Sequence, residues 1–199
     1  MPLVFLTAWH MLVGRARASE ADETCLVIAA GSGVGSAAIQ VAKVLGARVI
    51  ATAGSAAKLE QAKRLGADAV IDHSKQDLTT EVRALTDKRG VDVVCEHVGG
   101  EVFEHAVAAL ARNGRLVTCG GATAGHRVTL DLNQLFGRHL SLMGSWMGRR
   151  SEMLEVLEHV ARRATASGCR FGAPARRRAR GATSASRRGN SSGKIVLVP

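Results

Sequence analysis

The chain has 199 residues, 46% of them hydrophobic, which is enough for one well-buried domain with an appendage. Its formal charge of +10 is unevenly spread: residues 1–161 hold 17 basic and 17 acidic side chains, while residues 162–199 hold the other 10 basic groups and no acid. A basic, nucleic-acid-binding core is thereby excluded, and a short apolar N-terminal stretch followed by Arg15 and Arg17 excludes a signal peptide or membrane span there.

In chain order, Leu3–Val13 reads as a mostly buried helix and Gly14–Glu23 as a polar connector. The apolar run Cys25–Ala30 is the first strand, and the helical pattern Ala37–Leu45 follows a turn with glycines at 31, 33 and 35. Arg48–Ala53 is a second strand, and Ala56–Leu65 a helix closed by Gly66, where a left-handed cap belongs. A short strand at Ala69–Asp72 precedes a helix at Asp77–Thr86, with Asp77 as its N-cap and Lys88, Arg89 and Gly90 ending it. Val91–Glu96 is a fourth strand, Val102–Leu110 a helix, Gly114–Cys119 a fifth strand and Leu140–Gly144 a sixth, after a looser segment around Asp131–Phe136. Glu152–Val160 is the last helix.

Short apolar strands alternating with helices of ordinary length predict an α/β fold: a doubly wound parallel sheet with helices on both faces. Ligands then bind beyond the carboxyl ends of the strands, where the loops after Ala30, Ala53, Glu96 and Cys119 emerge, most of them rich in glycine. The order strand, glycine turn, helix at Thr24–Leu45 suits a dinucleotide pyrophosphate, because small residues admit the ligand to free N–H groups at the helix start. The G-x-G-x-x-G spacing is met in part: Ser36 takes the third place and Gly35 comes one residue early.

An NAD site places Asp or Glu at the end of the second strand, about 20 residues on, to hold the ribose hydroxyls. Here that end reads Ala51-Thr52-Ala53-Gly54-Ser55, with no carboxylate before Glu60. Ser55 and Lys58 suit an added 2′-phosphate, so NADP(H) is favoured over NAD(H); Ser55 as a helix cap and Lys58 as a solvated lysine stay open as readings. Cys25, Cys95, Cys119 and Cys169 form no C-x-x-C pair and no cluster with the histidines, so buried free thiols, a reducing cytoplasmic setting and no zinc site are expected. His97, beside Glu96, reads either as a general base or as a structural histidine.

The glycine loop, LGARVIATAGS, LGAD, GVDVV, HVGG, GRLVTCG and GSWMG, in that order over residues 3–161, resemble the medium-chain dehydrogenase/reductase superfamily, in particular quinone oxidoreductases and zinc-binding-type alcohol dehydrogenases. That resemblance implies a Rossmann-like nucleotide domain at 24–162, preceded by a linker helix and connector at 1–23. It places pyrophosphate on Gly31, Ser32, Gly33, Val34 and Gly35, the 2′-phosphate on Ser55 and Lys58, and nicotinamide beside Val98, Gly99, Gly120, Ser145 and Trp146. It assigns no catalytic residue in this chain. It further implies hydride transfer to or from a carbonyl, enone, quinone or alcohol as the small-molecule substrate. A homodimer through Leu140–Gly144 is also implied.

Relatives carry an N-terminal GroES-like domain before the LTAWH helix, which includes Thr7, and this domain supplies most of their catalytic cleft. The chain here starts almost on that helix, so weak activity alone is expected, as is loss of cover for Leu3, Val4, Phe5 and Leu6. Two further readings are a non-catalytic NADPH-binding module and a nucleic-acid binder acting through the basic tail, the latter disfavoured for want of a recognition motif. Residues 163–192, without Leu, Ile, Val or Met, are expected to be disordered, with a composition compatible with a shifted reading frame; Gly193–Pro199 resembles the family's last strand.

Overall fold

In the computed structural model, which describes residues 2–18, 22–121 and 124–162, six strands form one parallel sheet in the order β3-β2-β1-β4-β5-β6. The strands are β1 (Thr24–Val27), β2 (Arg48–Ala53), β3 (Ala69–Asp72), β4 (Val91–Glu96), β5 (Leu110–Thr118) and β6 (Ser141–Gly144). The helices are α1 (Pro2–Trp9), α2 (Gly33–Val44), α3 (Ala56–Arg64), α4 (Leu78–Leu85), α5 (Gly100–Ala108), α6 (Leu132–Gly137) and α7 (Arg150–Arg162). This strand order is the doubly wound dinucleotide-binding arrangement, whose direction reverses between β1 and β4.

Alternation along the strands builds two cores. Cys25 and Val27 of β1, Val49 and Ala51 of β2 and Val117 of β5 face one side, against α1, α2 and α7. Leu26, Ile50, Val94 and Leu116 face the other, against Leu78 and Val82 of α4 and Phe103, Ala106 and Val107 of α5. The central strands β1, β2 and β4 are therefore apolar on both faces, as a sheet covered on two sides requires. Cys25 and Cys95 are buried free thiols, and Cys119 is half-buried. Burial pushes the Cys25 thiol up to about 12, so it stays protonated and inert.

The boundaries depart from the sequence reading where backbone geometry intervenes. The first helix runs past Val13, because α1 continues into a π-helical stretch at His10–Arg15. Gly14 belongs to that stretch and not to a connector: a Cβ there would lie 2.6 Å from Glu152 Oε1 and 2.7 Å from His10 Nδ1. The missing side chain admits the His10–Glu152 pair, 2.8 Å apart, which ties this helix to α7, as does Trp9 Nε1 donating to Glu155 Oε2 at 3.0 Å. Val4, Phe5 and Leu6 keep their cover, at 7–8% exposure, and of the four N-terminal apolar residues only Leu3 is exposed.

Strand β1 stops at Val27, because Ala29 adopts a φ of +51° and turns the chain out of the ladder. Helix α2 starts four residues before Ala37, on the Ser32 cap, and α5 starts at Gly100, before Val102. Leu110 pairs with Val91, so β5 begins well ahead of Gly114, with a register irregularity accommodated around Asn113 at φ +61°. The looser segment holds a short helix, α6, capped by Asp131 accepting the Asn133 N–H at 2.8 Å. Asp77 caps α4 by accepting the Thr80 N–H at 2.8 Å, and Gly66 sits at φ +107° after α3. Cys169, the 163–192 tail and Gly193–Pro199 lie outside the described residues. Among the described residues no helix is long and apolar enough to cross a membrane.

Candidate nucleotide-binding site

The carboxyl ends of β1 to β4 open onto a cleft of about 760 Å³. Its floor is the turn between β1 and α2, which the sheet holds from both sides. Ile28 N–H donates to the Cys95 carbonyl of β4 at 3.1 Å, and Ala30 N–H to the Thr52 carbonyl of β2 at 2.8 Å. The Ala29 N–H donates to Thr52 Oγ1 at 3.2 Å. Ser32 then starts the helix, its Oγ accepting the Gly35 N–H at 2.8 Å. Gly33 and Val34, in the first turn, carry N–H groups with no intrahelical acceptor, which is the donor set an anion uses at a helix start.

The glycines have separate jobs. A Cβ on Gly35 would lie 2.4 Å from the Ala29 carbonyl oxygen, so this residue sets the close approach of α2 to β1. A Cβ on Gly31 would lie 2.6 Å from Lys58 Cδ, so the lysine stem runs over the bare face of Gly31. Among the residues lining the cleft, Lys58 supplies the one permanent positive charge, beside Asp77 and Glu101.

Of the residues singled out in the sequence, Gly31, Ser32, Gly33, Lys58 and Val98 line this cleft. Gly35 is buried beneath it, and Val34 packs half-buried on the core. Ser55 occupies the N-cap position of α3, where its carbonyl, but not its side chain, takes up the Lys58 and Leu59 N–H groups; it is exposed and outside the cleft lining. Gly99 is buried, at φ +82°, bridged to Gly125 in the loop beyond β5. Gly120, Ser145 and Trp146 stand past the ends of β5 and β6, where Ser145 N–H donates to the Thr118 carbonyl at 2.8 Å. Ser145 Oγ is buried without a partner, whereas Trp146 is 87% exposed. Of the five residues expected beside nicotinamide, Val98 lines the cleft and Gly99, Gly120, Ser145 and Trp146 do not.

The structure adds residues that the sequence reading passed over. His73, one residue past β3, lies against Gly54, and Glu101 and His105 reach the cleft from α5. Their signals were legible: His73 follows the carboxyl end of a strand, and Glu101 and His105 share one helix face at i, i+4. Burial holds the His73 imidazole below its ordinary value, with Asp72 opposing and Lys58 assisting.

His97 Nε2 lies 2.8 Å from Ser32 Oγ, while its Nδ1 is buried with no partner. Burial lowers its proton affinity, and Glu96 opposes this only in part. Glu96 itself is fully buried: Oε1 accepts the N–H groups of Val98 and Gly99, the latter at 2.7 Å, and Oε2 accepts the Thr118 hydroxyl at 2.8 Å. Its carboxylate is thus committed to backbone and threonine, and it orients the loop instead of activating His97. Among the described residues no group of three His, Cys, Asp or Glu side chains is placed to hold a metal ion.

Comparison with known proteins agrees with this geometry. Residues 33–162 match the family model described as zinc-binding dehydrogenase. Quinone oxidoreductase-like protein 2 of Bos taurus is 38% identical over 150 residues, which are 75% of this chain and 42% of that one. A phenolphthiocerol/phthiocerol polyketide synthase polypeptide of Mycobacterium tuberculosis is 43% identical over 118 residues, 59% of this chain and 5% of that much longer one. A solved NAD-dependent alcohol dehydrogenase is 45% identical, with a TM-score of 0.76 over 81% of this chain and 47% of its own. The chain spans less than half the length of each of these relatives. A six-stranded sheet of Rossmann order, a glycine turn braced by its neighbours and a family match over most of the described chain converge: this protein belongs to the zinc-binding dehydrogenase family of the medium-chain dehydrogenase/reductase superfamily.

Proposed function

We propose that this chain forms the nucleotide-binding part of an oxidoreductase that uses NADP(H). The carrying observation is the placement of the Lys58 stem over Gly31, beside the first turn of α2, at the end of a second strand that offers no carboxylate. A lysine there attracts the dianionic 2′-phosphate, and an Asp or Glu that would hold a 2′-hydroxyl is missing from Ala51–Ser55. The glycine turn takes the pyrophosphate on the Gly33 and Val34 N–H groups, and Ser32 fixes the start of that helix.

When bound, the cofactor supplies hydride at its nicotinamide, and this chain contributes grip and orientation. Val98, held by the Glu96 carboxylate, and Gly99, bridged to Gly125, set the height of the loop toward which the nicotinamide extends. The substrate is a carbonyl, enone, quinone or alcohol.

Fluorescence titration with NADPH and then NADH tests the reading. Tighter binding of NADPH supports it, and NADH binding as tightly or more tightly removes the assignment to Lys58. We further propose a homodimer formed through the strand near Leu140–Gly144, which is β6. Among the described residues this strand ends the sheet with one edge unpaired, and Phe136 before it and Trp146 after it are exposed. Sedimentation showing a monomer at all concentrations would remove the dimer.

A further inference from the structure

A second concave site opens at the other end of the sheet, where β4 and β5 begin, and it takes no part in the nucleotide cleft. Its volume is about 390 Å³. Five cations from four segments line it: Arg83 of α4, Lys88 and Arg89 of the turn before β4, Arg112 of β5, and Arg138 after α6. The 17 basic groups of residues 1–161 are matched by 17 acidic ones, so this cleft reflects segregation of charge and not a general excess.

Only Arg89 spends its charge on a carboxylate, Asp92, with bonds of 2.5 and 2.8 Å. Arg138 donates to the carbonyls of Ala108 and Leu110 and to Gln134 Oε1, and Arg112 donates to the Gly137 carbonyl at 3.3 Å. These partners are neutral. Among the described residues no ion pair engages Arg83, Lys88, Arg112 or Arg138. The carboxylates nearest in sequence, Glu81 and Asp87, are not part of the lining.

Cations beside the ends of α4 and α5 complement the helix dipoles, which accounts for one or two of them. It does not account for four unpaired charges converging on one hollow, where each raises the cost of the next. Burial and the proximity of Arg83 both lower the proton affinity of Arg138, a repulsion that a bound anion relieves.

We propose that this basic cleft binds a compact polyanion, a small molecule carrying two or more phosphoryl groups close together. Its size suits such a headgroup, being near the lower end of ordinary small-molecule sites. No aromatic side chain lines it, so bases have no stacking platform, and its cations converge from four segments instead of tracking a strand. Both features favour a small polyanion over nucleic acid.

The test is calorimetric titration of the full chain with inorganic pyrophosphate, with and without saturating NADPH. Comparison is made with an Arg83→Gln/Lys88→Asn double variant, asparagine being chosen because Lys88 sits at φ +67°. One pyrophosphate should bind per chain in the presence of NADPH, and the double variant should lose about tenfold or more in affinity, as removal of two charge-assisted contacts implies. NADPH binding and helix content should be unchanged in it, and Lys63→Gln, on α3, should leave pyrophosphate affinity unaltered. Residues 163–199, identical in all variants, cancel in the comparison. Should the double variant not fold, Arg112→Gln, an exposed site, must still weaken pyrophosphate several-fold. Equal affinity in parent and variants, displacement of pyrophosphate by NADPH, or no binding overturns the proposal. So does tighter, variant-sensitive binding of a single-stranded oligonucleotide, which would make the ligand nucleic acid. Failure of NADPH to bind would count against the nucleotide cleft alone, since the variant comparison without NADPH still reads the basic cleft.

Discussion

Ser32 Oγ lies 2.8 Å from His97 Nε2 and accepts the Gly35 N–H at the same distance, so one hydroxyl joins the glycine turn to the end of β4. The bond couples the glycine turn to the protonation state of a histidine whose proton affinity burial lowers.

That lowered affinity makes stability fall on acidification. Burial sets the folded His97 pKa below its ordinary 6.5, so below that pH the unfolded chain binds a proton that the folded chain refuses. The contribution is intact above pH 6.5 and lost as the pH drops toward the folded value; His73, also lowered, acts in the same direction. His97→Asn should therefore flatten the fall in urea midpoint between neutral and mildly acidic pH. Parallel curves for parent and variant would show that His97 does not contribute to it.

Two glycines of the same loop should respond oppositely to alanine. At Gly35 the new methyl meets backbone, 2.4 Å from the Ala29 oxygen and 2.9 Å from Ala30 Cα, and neither atom can swing aside. Gly35→Ala should cost about 1–3 kcal/mol, the usual range for forced overpacking, and should weaken cofactor binding as α2 shifts off β1. At Gly31 the methyl meets only the Lys58 stem, which has other rotamers, so Gly31→Ala should leave stability within about 0.5 kcal/mol. It should still move Lys58 and so reduce NADPH affinity. Thermal melts and titrations on both variants separate the two jobs.

Lys58→Ala should discriminate between cofactors. Loss of one charge-assisted contact to a phosphate is worth about 1.5–3 kcal/mol, or roughly ten- to a hundredfold in Kd. NADPH should weaken by that amount, while NADH, with no 2′-phosphate, should change little. Equal losses for both would place Lys58 on the pyrophosphate instead.

The sheet was legible in the sequence because its strands are nearly all apolar: β2, β3 and β4 begin and end where the pattern of Arg48–Ala53, Ala69–Asp72 and Val91–Glu96 places them. What escaped was backbone conformation that apolar periodicity does not encode. The turn at Ala29, a non-glycine residue at φ +51°, ends β1 inside an apolar run, and the π-helical stretch at His10–Arg15 is tied down by a pair with Glu152, 142 residues away. The glycine loop was readable because close approach demands small residues. His73, Glu101 and His105 escaped notice because a polar residue after a strand or an i, i+4 pair on a helix is common, and only the placement of β3 and α5 brings these three to the cleft wall. Ser55 holds the N-cap position of α3 that its type suits, through its carbonyl and not its side chain, and it stands exposed outside the cleft lining.

The last prediction concerns Glu96, a fully buried carboxylate whose role is mechanical. Its oxygens take the Val98 and Gly99 N–H groups and the Thr118 hydroxyl, which anchors a loop where Gly99 and Gly100 sit at φ +82° and +55°. In Glu96→Gln the amide oxygen can keep both backbone bonds. The amide NH2 then faces Thr118 Oγ1, whose proton can turn to the Gly120 carbonyl 3.2 Å away. The cost should be about 1 kcal/mol, the worth of one exchanged hydrogen bond. Glu96→Leu strands all three donors, and at about 1–3 kcal/mol for each unsatisfied group it should cost at least 3 kcal/mol. It should also release the loop and weaken NADPH. Urea denaturation should thus rank parent above Gln and Gln well above Leu. If Glu96→Leu matched the parent, the carboxylate would be dispensable to the fold, and a direct role for it in the cleft would have to be considered.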